Sequence, residues 1–481
     1  MNILKRYITK LPLELNNDEL DLFSNAGNYL AGDVISRGII FLTIPVYTRI
    51  LSPDGIGVLA VFQSIVYMVS IFFSCGTPGA VTRYYYEDRK DFASFLGNNF
   101  IFALFFSLIF SIVILLFRRY VADFFRIGTN LFLYICFISI TLVGFNIYKS
   151  YLQATKQSRK YSILSIGKEA GVFILSIPLI LLLDSDKYMG KIFSQSLVVP
   201  LLFIFVIYSI AGTAKISFKK QHLKYVFVFG LPVVLHLLSH YLLTSFDQII
   251  INQLLGKTET GLYFVAYKIG LIQNIVNLAI IKAWTPIFYE KLNQGLQKDI
   301  TGLAQKYALV IFTFAAFLIL FSREIITFVT DVKFHSAAPI IPIIILSYLF
   351  VFIYTIYVNY IFYHKKTYLI SIATLLSGGI NIGLNYLLIP KYGYFAAAVT
   401  TLISYFILFV FHYVNVRFIL KIQNIVPLRQ IFKFIIIPLS ALAVFALNWI
   451  VDLSIIYFVA LKIITLTFIV FIAYRYINAK A

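Results

Sequence analysis

Apolar stretches of roughly 20 residues recur along the whole chain, and they constrain its fold more than any other feature. A helix of that length crosses the hydrocarbon core of a bilayer, whereas the strands of a membrane barrel are about half as long and alternate in polarity. Only 12% of the 481 residues are charged, which is about half the share found in a soluble domain. The sequence therefore predicts an all-α polytopic membrane protein.

Fourteen apolar stretches are long enough to be membrane spans, and short turns rich in Pro, Gly and Asp join several of them. The predicted spans are 26–49, 57–79, 94–117, 130–154, 161–183, 190–211, 225–254, 260–286, 303–322, 338–362, 367–389, 393–415, 431–451 and 454–474. They form two six-helix bundles and a C-terminal helix pair, preceded by an N-terminal segment. The predicted boundaries are 1–25 for this segment, 26–211 and 225–415 for the bundles, and 431–474 for the pair.

Basic residues indicate how the chain is oriented in the membrane. With the N-terminus in the cytoplasm, the cytoplasmic segments hold about 24 Lys and Arg and the opposite side about 10. This asymmetry predicts two cytoplasmic termini, and it accounts for the net charge of +20 without nucleic acid as a partner. Residues 1–25 lack a signal-peptide pattern. The apolar residues between Ile3 and Leu11 fit either a short helix on the cytoplasmic membrane surface or a solvated tail.

An internal repeat links the two predicted bundles. The segments Leu51–Val61 and Leu255–Val265 both place a leucine six residues before a glycine that opens the next helix, at an offset of 204 residues. Gly190 and Gly393 open two further spans at an offset of 203 residues. Because an even number of spans separates the halves, we expect parallel repeats with the substrate bound between the two bundles. The C-terminal pair falls outside this repeat.

About nine ionisable side chains lie inside stretches that are otherwise apolar enough to cross a bilayer, where a charge costs a few kcal/mol and is kept facing protein or water. They are Asp33, Arg37, Lys149, Lys168, Glu169, Asp247, Lys268, Lys282 and Lys462. Six of the nine are cationic, and together they predict a positively charged, water-accessible cavity within the membrane. Such a cavity indicates an anionic cargo, whereas carboxylates would suit a cationic drug.

The cationic side chains have different expected roles. Arg37 and Lys268 are the strongest candidates for contacting substrate, one in each predicted bundle. Lys149, Lys168 and Lys282 are expected to assist them. For Lys149 and Lys282 the alternative is snorkelling, since both lie near the cytoplasmic ends of their helices.

The remaining charges are candidates for gating, ion coupling or structural roles. Asp33 is one helical turn from Arg37, so it either pairs with that residue or tunes the cavity. Asp247 is a candidate for coupling to a proton or a sodium ion, with a structural role as the alternative. Glu169 directly follows a lysine, and adjacent residues on a helix are expected to point in different directions. Lys462 is expected to mark a lipid or interaction site.

Uncharged polar residues in the spans leave two interpretations open. They either form hydrogen bonds between helices or bind sugar hydroxyls in a cavity. These residues are Gln273, Asn274, Asn277, Asn381 and Asn385. His236 and His240 share a helix face and are either a proton-responsive pair or further helix-bonding groups.

Motifs for several chemistries are missing from the sequence. There is no Gly-rich phosphate loop, no HExxH, no EF-hand loop and no cluster of Cys and His. Cys75 and Cys136 lie inside apolar runs and are expected to be small buried hydrophobic residues. We therefore expect no catalytic residues, no metal and no cofactor, and we expect a protein that is not an enzyme.

Four segments resemble the polysaccharide transporter family of bacterial lipid-linked oligosaccharide flippases, which includes the O-antigen flippases. They are Asp33–Arg49 leading into LSPDGIGVLAVFQS, Gly76–Arg83 closing the second span, Gly261–Lys268 opening the eighth, and Leu388–Ala398 bridging the eleventh and twelfth. The likeness covers nearly the whole chain, although its motifs are structural rather than catalytic. Family members often have twelve spans, so a prediction of fourteen departs from the commonest pattern.

The resemblance implies a two-lobed transporter of the bacterial inner membrane that works by alternating access. The implied cargo is an undecaprenyl-pyrophosphate-linked oligosaccharide, such as an O-antigen unit for lipopolysaccharide, moved from the cytoplasmic to the periplasmic leaflet. Membrane lipid is an implied partner, and a polysaccharide polymerase is left open as another. The alternatives are a lipid II flippase or a multidrug extruder of the same superfamily, and, from another class, a membrane polysaccharide polymerase.

Overall fold

All regular structure described for this chain is helical. The computed structural model describes residues 17–450 and 455–478, and every regular element in those two ranges is a helix. The predicted class of all-α polytopic membrane protein is therefore confirmed. The predicted surface helix between Ile3 and Leu11 lies outside the described residues.

Twelve segments within the described residues are long and apolar enough to cross a membrane. They correspond to the first twelve predicted spans. Ile436–Leu447 and Phe458–Phe471, in the region of predicted spans thirteen and fourteen, are apolar but shorter in their described parts. The total of fourteen spans stays a prediction.

The chain divides into two compact units between Leu238 and Ser239. The first unit contains eight helices and most of a ninth. These are α1 Asn17–Ile50, α2 Pro53–Ser74, α3 Thr77–Glu87, α4 Phe92–Leu116, α5 Arg118–Phe125, α6 Leu131–Ala154, α7 Ser158–Leu181, α8 Met189–Ala211 and α9 Lys220–Thr244. Within this unit α6 is central, because it packs against α2, α3, α4 and α8.

The second unit begins within α9 and contains the remaining α-helices, together with a short 3-10 helix Val332–Ala337 and a π-helix Asn415–Ile419. The α-helices are α10 Asp247–Leu254, α11 Lys257–Gly270, α12 Ile272–Asn293, α13 Gln297–Leu320, α14 Ser322–Val329, α15 Ile340–Tyr363, α16 Tyr368–Tyr392, α17 Phe395–Val414, α18 Leu428–Phe432, α19 Ile436–Ile450 and α20 Ile455–Asn478. Helix α15 is central here and packs against α11, α12, α13 and α17. Helices α19 and α20 pack against α13.

The order of helices is similar in the two units, in agreement with the repeat in the sequence. In each unit the second span is interrupted, giving α2 and α3 in the first and α11 and α12 in the second. The third span of each unit leads directly into an eight-residue helix. These short helices begin at Arg118 and Ser322, which are 204 residues apart, the same offset as the sequence motifs.

Local sequence explains where α2 begins and ends. Ser52 caps the helix by accepting a hydrogen bond from the backbone N–H of Gly55 at 3.2 Å, and Pro53 is the first helical residue. The helix ends at Cys75, which has left-handed backbone angles, and Gly76 follows with a φ of +71°. Thr77 and Pro78 then restart the chain as α3. Two consecutive left-handed residues therefore interrupt this span.

Replacing Gly76 by alanine is expected to lower the unfolding temperature of the purified protein and its yield from membranes. A Cβ there would lie 2.4 Å from the Cα of Gly230 in α9, and the left-handed backbone adds about 1–2 kcal/mol for a residue with a side chain. Gly79→Ala is the matched control, since its Cβ would meet only the Phe229 ring at 3.4 Å. Equal unfolding temperatures for the two variants would contradict this account of the break.

Polar contacts link the start of α4 to the connector before α9 and to the first turn of α9. Lys219 Nζ and His222 Nε2 each lie 2.6 Å from a carboxylate oxygen of Asp91. Asn98 adds a hydrogen bond to the carbonyl of Lys219 at 3.1 Å, and the N–H of Lys215 donates to the backbone of this region at 2.9 Å. The hydrogen bonds from Lys219 and then His222 lower the pKa of Asp91 to about 2. The carboxylate is therefore charged at neutral pH and keeps its contacts with Lys219 and His222.

Candidate functional site

A cavity of about 470 Å³ lies within the first unit. It is lined by side chains of α2, α3, α6, α7, α8 and α9. Two lysines reach its surface, Lys149 from α6 and Lys168 from α7. The described residues that line it include no Asp or Glu, and its other polar side chains are Gln63, Tyr67, Ser70, Ser74, Asn146, Ser150, Gln153, Tyr161 and Gln195. The cavity is thus cationic and rich in neutral hydrogen-bonding groups.

Aromatic rings hold Lys149 at the cavity. Its Nζ lies 4.3 Å from the centroid of the Tyr161 ring and 5.9 Å from that of Phe145. Within the described part of the chain, no carboxylate lies within salt-bridge distance of this ammonium group. The half-buried side chain lines the cavity, which fits the substrate-binding prediction better than snorkelling. Its role in binding stays a prediction.

Lys168 differs from Lys149 because it has an acidic partner. Its Nζ lies 2.6 Å from Oε1 of Glu169 and 5.9 Å from the centroid of Phe145. The expectation that these neighbours on the helix point in different directions is wrong for their charged ends. Both side chains are long enough to bend towards each other, although their Cβ atoms diverge. Glu169 is not among the residues that line the cavity.

Asp33 and Arg37 lie on α1, which packs along α7. Arg37 is exposed and Asp33 is half-buried. Both act electrostatically on Tyr161, the residue whose ring contacts Lys149. Neither side chain lines the cavity itself. The prediction that Arg37 contacts substrate therefore has no direct geometric support within this unit, and it stays a prediction.

The two lysines predicted in the second unit occupy different environments. Lys268 is half-buried, with its Nζ 5.0 Å from the centroid of the Phe264 ring. Lys282 is exposed on α12. Contact of either residue with substrate stays a prediction, as does the expected sharing of one cavity by Lys268 and Arg37.

Asp247 is the centre of a buried polar network in the second unit. Its carboxylate is 1% exposed. It accepts hydrogen bonds from the Tyr263 hydroxyl at 2.9 Å, from Asn385 Nδ2 at 2.7 Å and from the Thr401 hydroxyl at 2.7 Å. Asn381 extends the network by accepting from Asn385 at 3.1 Å. These contacts join α10, α11, α16 and α17 around one carboxylate.

The sequence pattern did not reveal Tyr263 and Thr401 as partners of Asp247. Thr400 and Thr401 form a polar pair inside an apolar helix, and that pair was the available signal. The Asp247 carboxylate and the two hydroxyl oxygens beside it are hard oxygen ligands, the kind that small cations prefer, and the carboxylate can also accept a proton. The described residues include no group of three or more His, Cys, Asp or Glu that could hold a metal ion.

Polar residues near Lys268 bond helices together. Asn277 Nδ2 donates to the carbonyl of Tyr348 in α15 at 2.6 Å, and Gln273 donates to Asn277 at 3.2 Å. The hydroxyls of Tyr267 and Tyr348 lie 2.8 Å apart. For Asn277 the structure therefore supports the helix-bonding interpretation over sugar binding, whereas the Gln273 contact lies within α12.

Lys462 is buried and forms an ion pair with Glu324, whose side chain is 45% exposed. Its side chain is 0% exposed, and its Nζ lies 2.6 and 2.8 Å from the two carboxylate oxygens of Glu324. The Phe458 ring centroid lies 4.6 Å from the same ammonium group. The expected interaction site is thus a contact within this chain, between α20 and the short helix α14. The prediction that Lys462 marks a lipid site is not supported by this geometry.

The fold is similar to those of two solved membrane transporters. A structure of the lipid II flippase MurJ in an inward closed conformation matches with a TM-score of 0.73 at 16% identity, covering 94% of this chain and 99% of that one. An inward-facing multidrug resistance transporter of the MATE family in the MOP superfamily matches with a TM-score of 0.65 at 14% identity, covering 80% of this chain and 96% of that one.

A family model shows to which protein family the chain belongs. The model described as polysaccharide biosynthesis protein matches residues 22–291, more than half of the chain, and the protein belongs to that family. Two relatives from Haemophilus influenzae, Lsg locus putative protein 1 and an uncharacterized membrane protein, are each 26% identical. Their matches cover 74% and 76% of this chain and 89% of each relative. The predicted resemblance to polysaccharide transporters is confirmed at the level of the family.

Proposed function

We propose that this protein is a flippase for an undecaprenyl-pyrophosphate-linked oligosaccharide, such as an O-antigen or another surface polysaccharide unit. It carries this lipid from the cytoplasmic to the periplasmic leaflet of the bacterial inner membrane by ion-coupled alternating access. Both termini lie in the cytoplasm. No covalent chemistry is involved, and a polysaccharide polymerase is a candidate partner downstream.

The cationic cavity of the first unit carries this proposal. A pyrophosphate is expensive to move through hydrocarbon, and charge-assisted hydrogen bonds from lysine offset that cost. Lys149 and Lys168 supply the charge, and the described lining has no carboxylate to repel an anion. The amide and hydroxyl groups around them, including Gln63 and Asn146, suit the hydroxyls of the attached sugars.

Asp247 is the proposed site of ion coupling. A buried carboxylate with three hydrogen-bond donors is stable without an ion, whereas binding of a proton or sodium ion would rearrange those donors. Because four helices meet at Asp247, such a rearrangement would change how they pack. An ion bound there would therefore bias one conformation of the second unit over another.

Deletion of the gene tests the proposed function. We expect surface polysaccharide to disappear and its lipid-linked repeat unit to accumulate on the cytoplasmic face, because synthesis continues without translocation. Both are measured by glycan staining and by labelling of lipid-linked sugars in sealed vesicles of known orientation. Complementation with the wild-type gene is the control, and normal polysaccharide export in the deletion strain would contradict the proposal.

The likeness to MurJ makes a lipid II flippase the second candidate. Depletion would then stop peptidoglycan synthesis and lyse cells, instead of removing only a surface glycan. A multidrug extruder would instead confer resistance on overexpression without changing surface glycan. The absence of acidic residues among the described lining residues of the cavity disfavours a cationic drug as cargo.

A further inference from the structure

We propose that Glu169 is a built-in counter-charge that occupies Lys168 while the cavity is empty and yields it to the anionic headgroup of the cargo. This inference rests on the proposed function and deepens it. It assigns Glu169 a role in setting how strongly the cavity prefers a pyrophosphate over a singly phosphorylated or neutral lipid.

The geometry of the ion pair supports an exchangeable contact. Glu169 and Lys168 are adjacent on α7, so their side chains leave the helix in different directions. Even so, their charged ends meet at 2.6 Å. Each side chain is about a quarter exposed, 25% for Lys168 and 23% for Glu169. A pair that remains accessible to water is weak, so an incoming phosphate can replace the carboxylate at low cost.

The two lysines of the cavity are therefore unequal. Lys149 has no carboxylate within salt-bridge distance in the described part of the chain, and it contacts aromatic rings instead. Lys168 is neutralised by Glu169. Lys168, Asp33 and Glu169 also interact electrostatically with Lys149.

This inequality favours a cargo with two phosphates. With two lysines and one glutamate, the group formed by Lys149, Lys168 and Glu169 carries a net charge of +1. A single phosphate can be held by Lys149 alone, whereas a pyrophosphate reaches both ammonium groups and displaces Glu169. Neutralising Glu169 raises the net charge to +2 and removes the cost of displacing the carboxylate. Only the pyrophosphate pays that cost, so the advantage of the second phosphate increases.

Binding to the full-length protein in nanodiscs tests the inference. The probes are undecaprenyl pyrophosphate, undecaprenyl monophosphate and neutral undecaprenol, titrated against wild type and Glu169→Gln. We expect the variant to bind the pyrophosphate about three- to fivefold more tightly, with little change for the monophosphate, and so to discriminate more strongly between the two phosphorylated lipids. Glu290→Gln, which removes an exposed carboxylate from α12 in the second unit, is the matched control and is expected to change neither.

A double substitution distinguishes displacement of Glu169 from Lys168 from a general electrostatic effect of the Glu169 charge on the cavity. In a Lys168→Gln background, Glu169→Gln is expected to have no further effect, because the carboxylate no longer has a lysine to occupy. Unchanged or weaker pyrophosphate binding in Glu169→Gln, or an equal gain in the Lys168→Gln background, would overturn the inference. If wild type binds undecaprenol as tightly as the pyrophosphate, the proposed function fails, and the inference that rests on it fails with it.

Discussion

Replacing Lys149 by glutamine is expected to weaken binding of undecaprenyl pyrophosphate to the purified protein by about 10- to 100-fold. A hydrogen bond to a charged group contributes about 1.5–3 kcal/mol, and each 1.4 kcal/mol is a factor of ten in affinity. Lys149 has no carboxylate partner in the described part of the chain, so its full charge is available to the cargo. Glutamine is one bond shorter than lysine, stays polar and removes the charge.

Controls on Lys149→Gln distinguish a binding role from a structural one. Lys160→Gln removes an exposed lysine just before Tyr161 on α7 and is expected to bind as wild type does. Binding of neutral undecaprenol is expected to be equal in all three proteins, since the substituted charge does not contact an isoprenoid. Wild-type pyrophosphate affinity in Lys149→Gln, with an unchanged unfolding temperature, would contradict the assignment of the cavity as the anion site.

Asp247→Asn is expected to abolish the dependence of the protein on its coupling ion. The substitution removes the negative charge that holds a proton or cation, while the residue keeps nearly the same shape among Tyr263, Asn385 and Thr401. We expect the unfolding temperature of wild type to change with Na⁺ concentration or with pH, and that response to be lost in the variant. Pyrophosphate binding in the first unit is expected to survive, because the substitution is confined to the second unit.

Two further measurements make the Asp247 prediction specific. Asp299→Asn, which removes an exposed carboxylate that pairs with Lys291, is expected to keep the ion response of wild type. In the variant, the NH₂ group of asparagine replaces one carboxylate oxygen and faces hydrogen-bond donors that this oxygen had satisfied. The variant is therefore also expected to lose about 1–3 kcal/mol of stability. If the variant retains a wild-type shift with both Na⁺ and pH, coupling resides elsewhere.

The helical architecture follows from patterns that are local in the sequence. Apolar length predicts the spans, although α2 begins at Pro53, four residues before the start of the predicted span. The repeat predicted from Leu51–Val61 and Leu255–Val265 agrees with interrupted second spans and with short helices at the same offset in both units. Each of these features depends on residues close together in the chain, so a single sequence is enough to reveal them.

The candidate sites depend on contacts between distant residues, and these were only partly predictable. The cationic character of the cavity could be predicted because lysines are rare inside spans. The sequence could not predict that Lys168 has a carboxylate partner. Lys168 and Glu169 are adjacent, so their Cβ atoms diverge, although their charged ends meet. The partners of Asp247 lie 16, 138 and 154 residues away along the chain. Glu324, the partner of Lys462, lies in a short helix that follows the predicted span 303–322.

Photo-crosslinking tests the central claim, binding of the pyrophosphate in the cavity of the first unit, most directly. The probe is an undecaprenyl-pyrophosphate-linked sugar with a photoreactive group beside the pyrophosphate, and the labelled peptides are identified by mass spectrometry. We predict labelling of α6 and α7 that excess undecaprenyl pyrophosphate removes, that undecaprenol does not, and that falls in Lys149→Gln. Labelling confined to other helices, or undiminished in Lys149→Gln, would contradict the account.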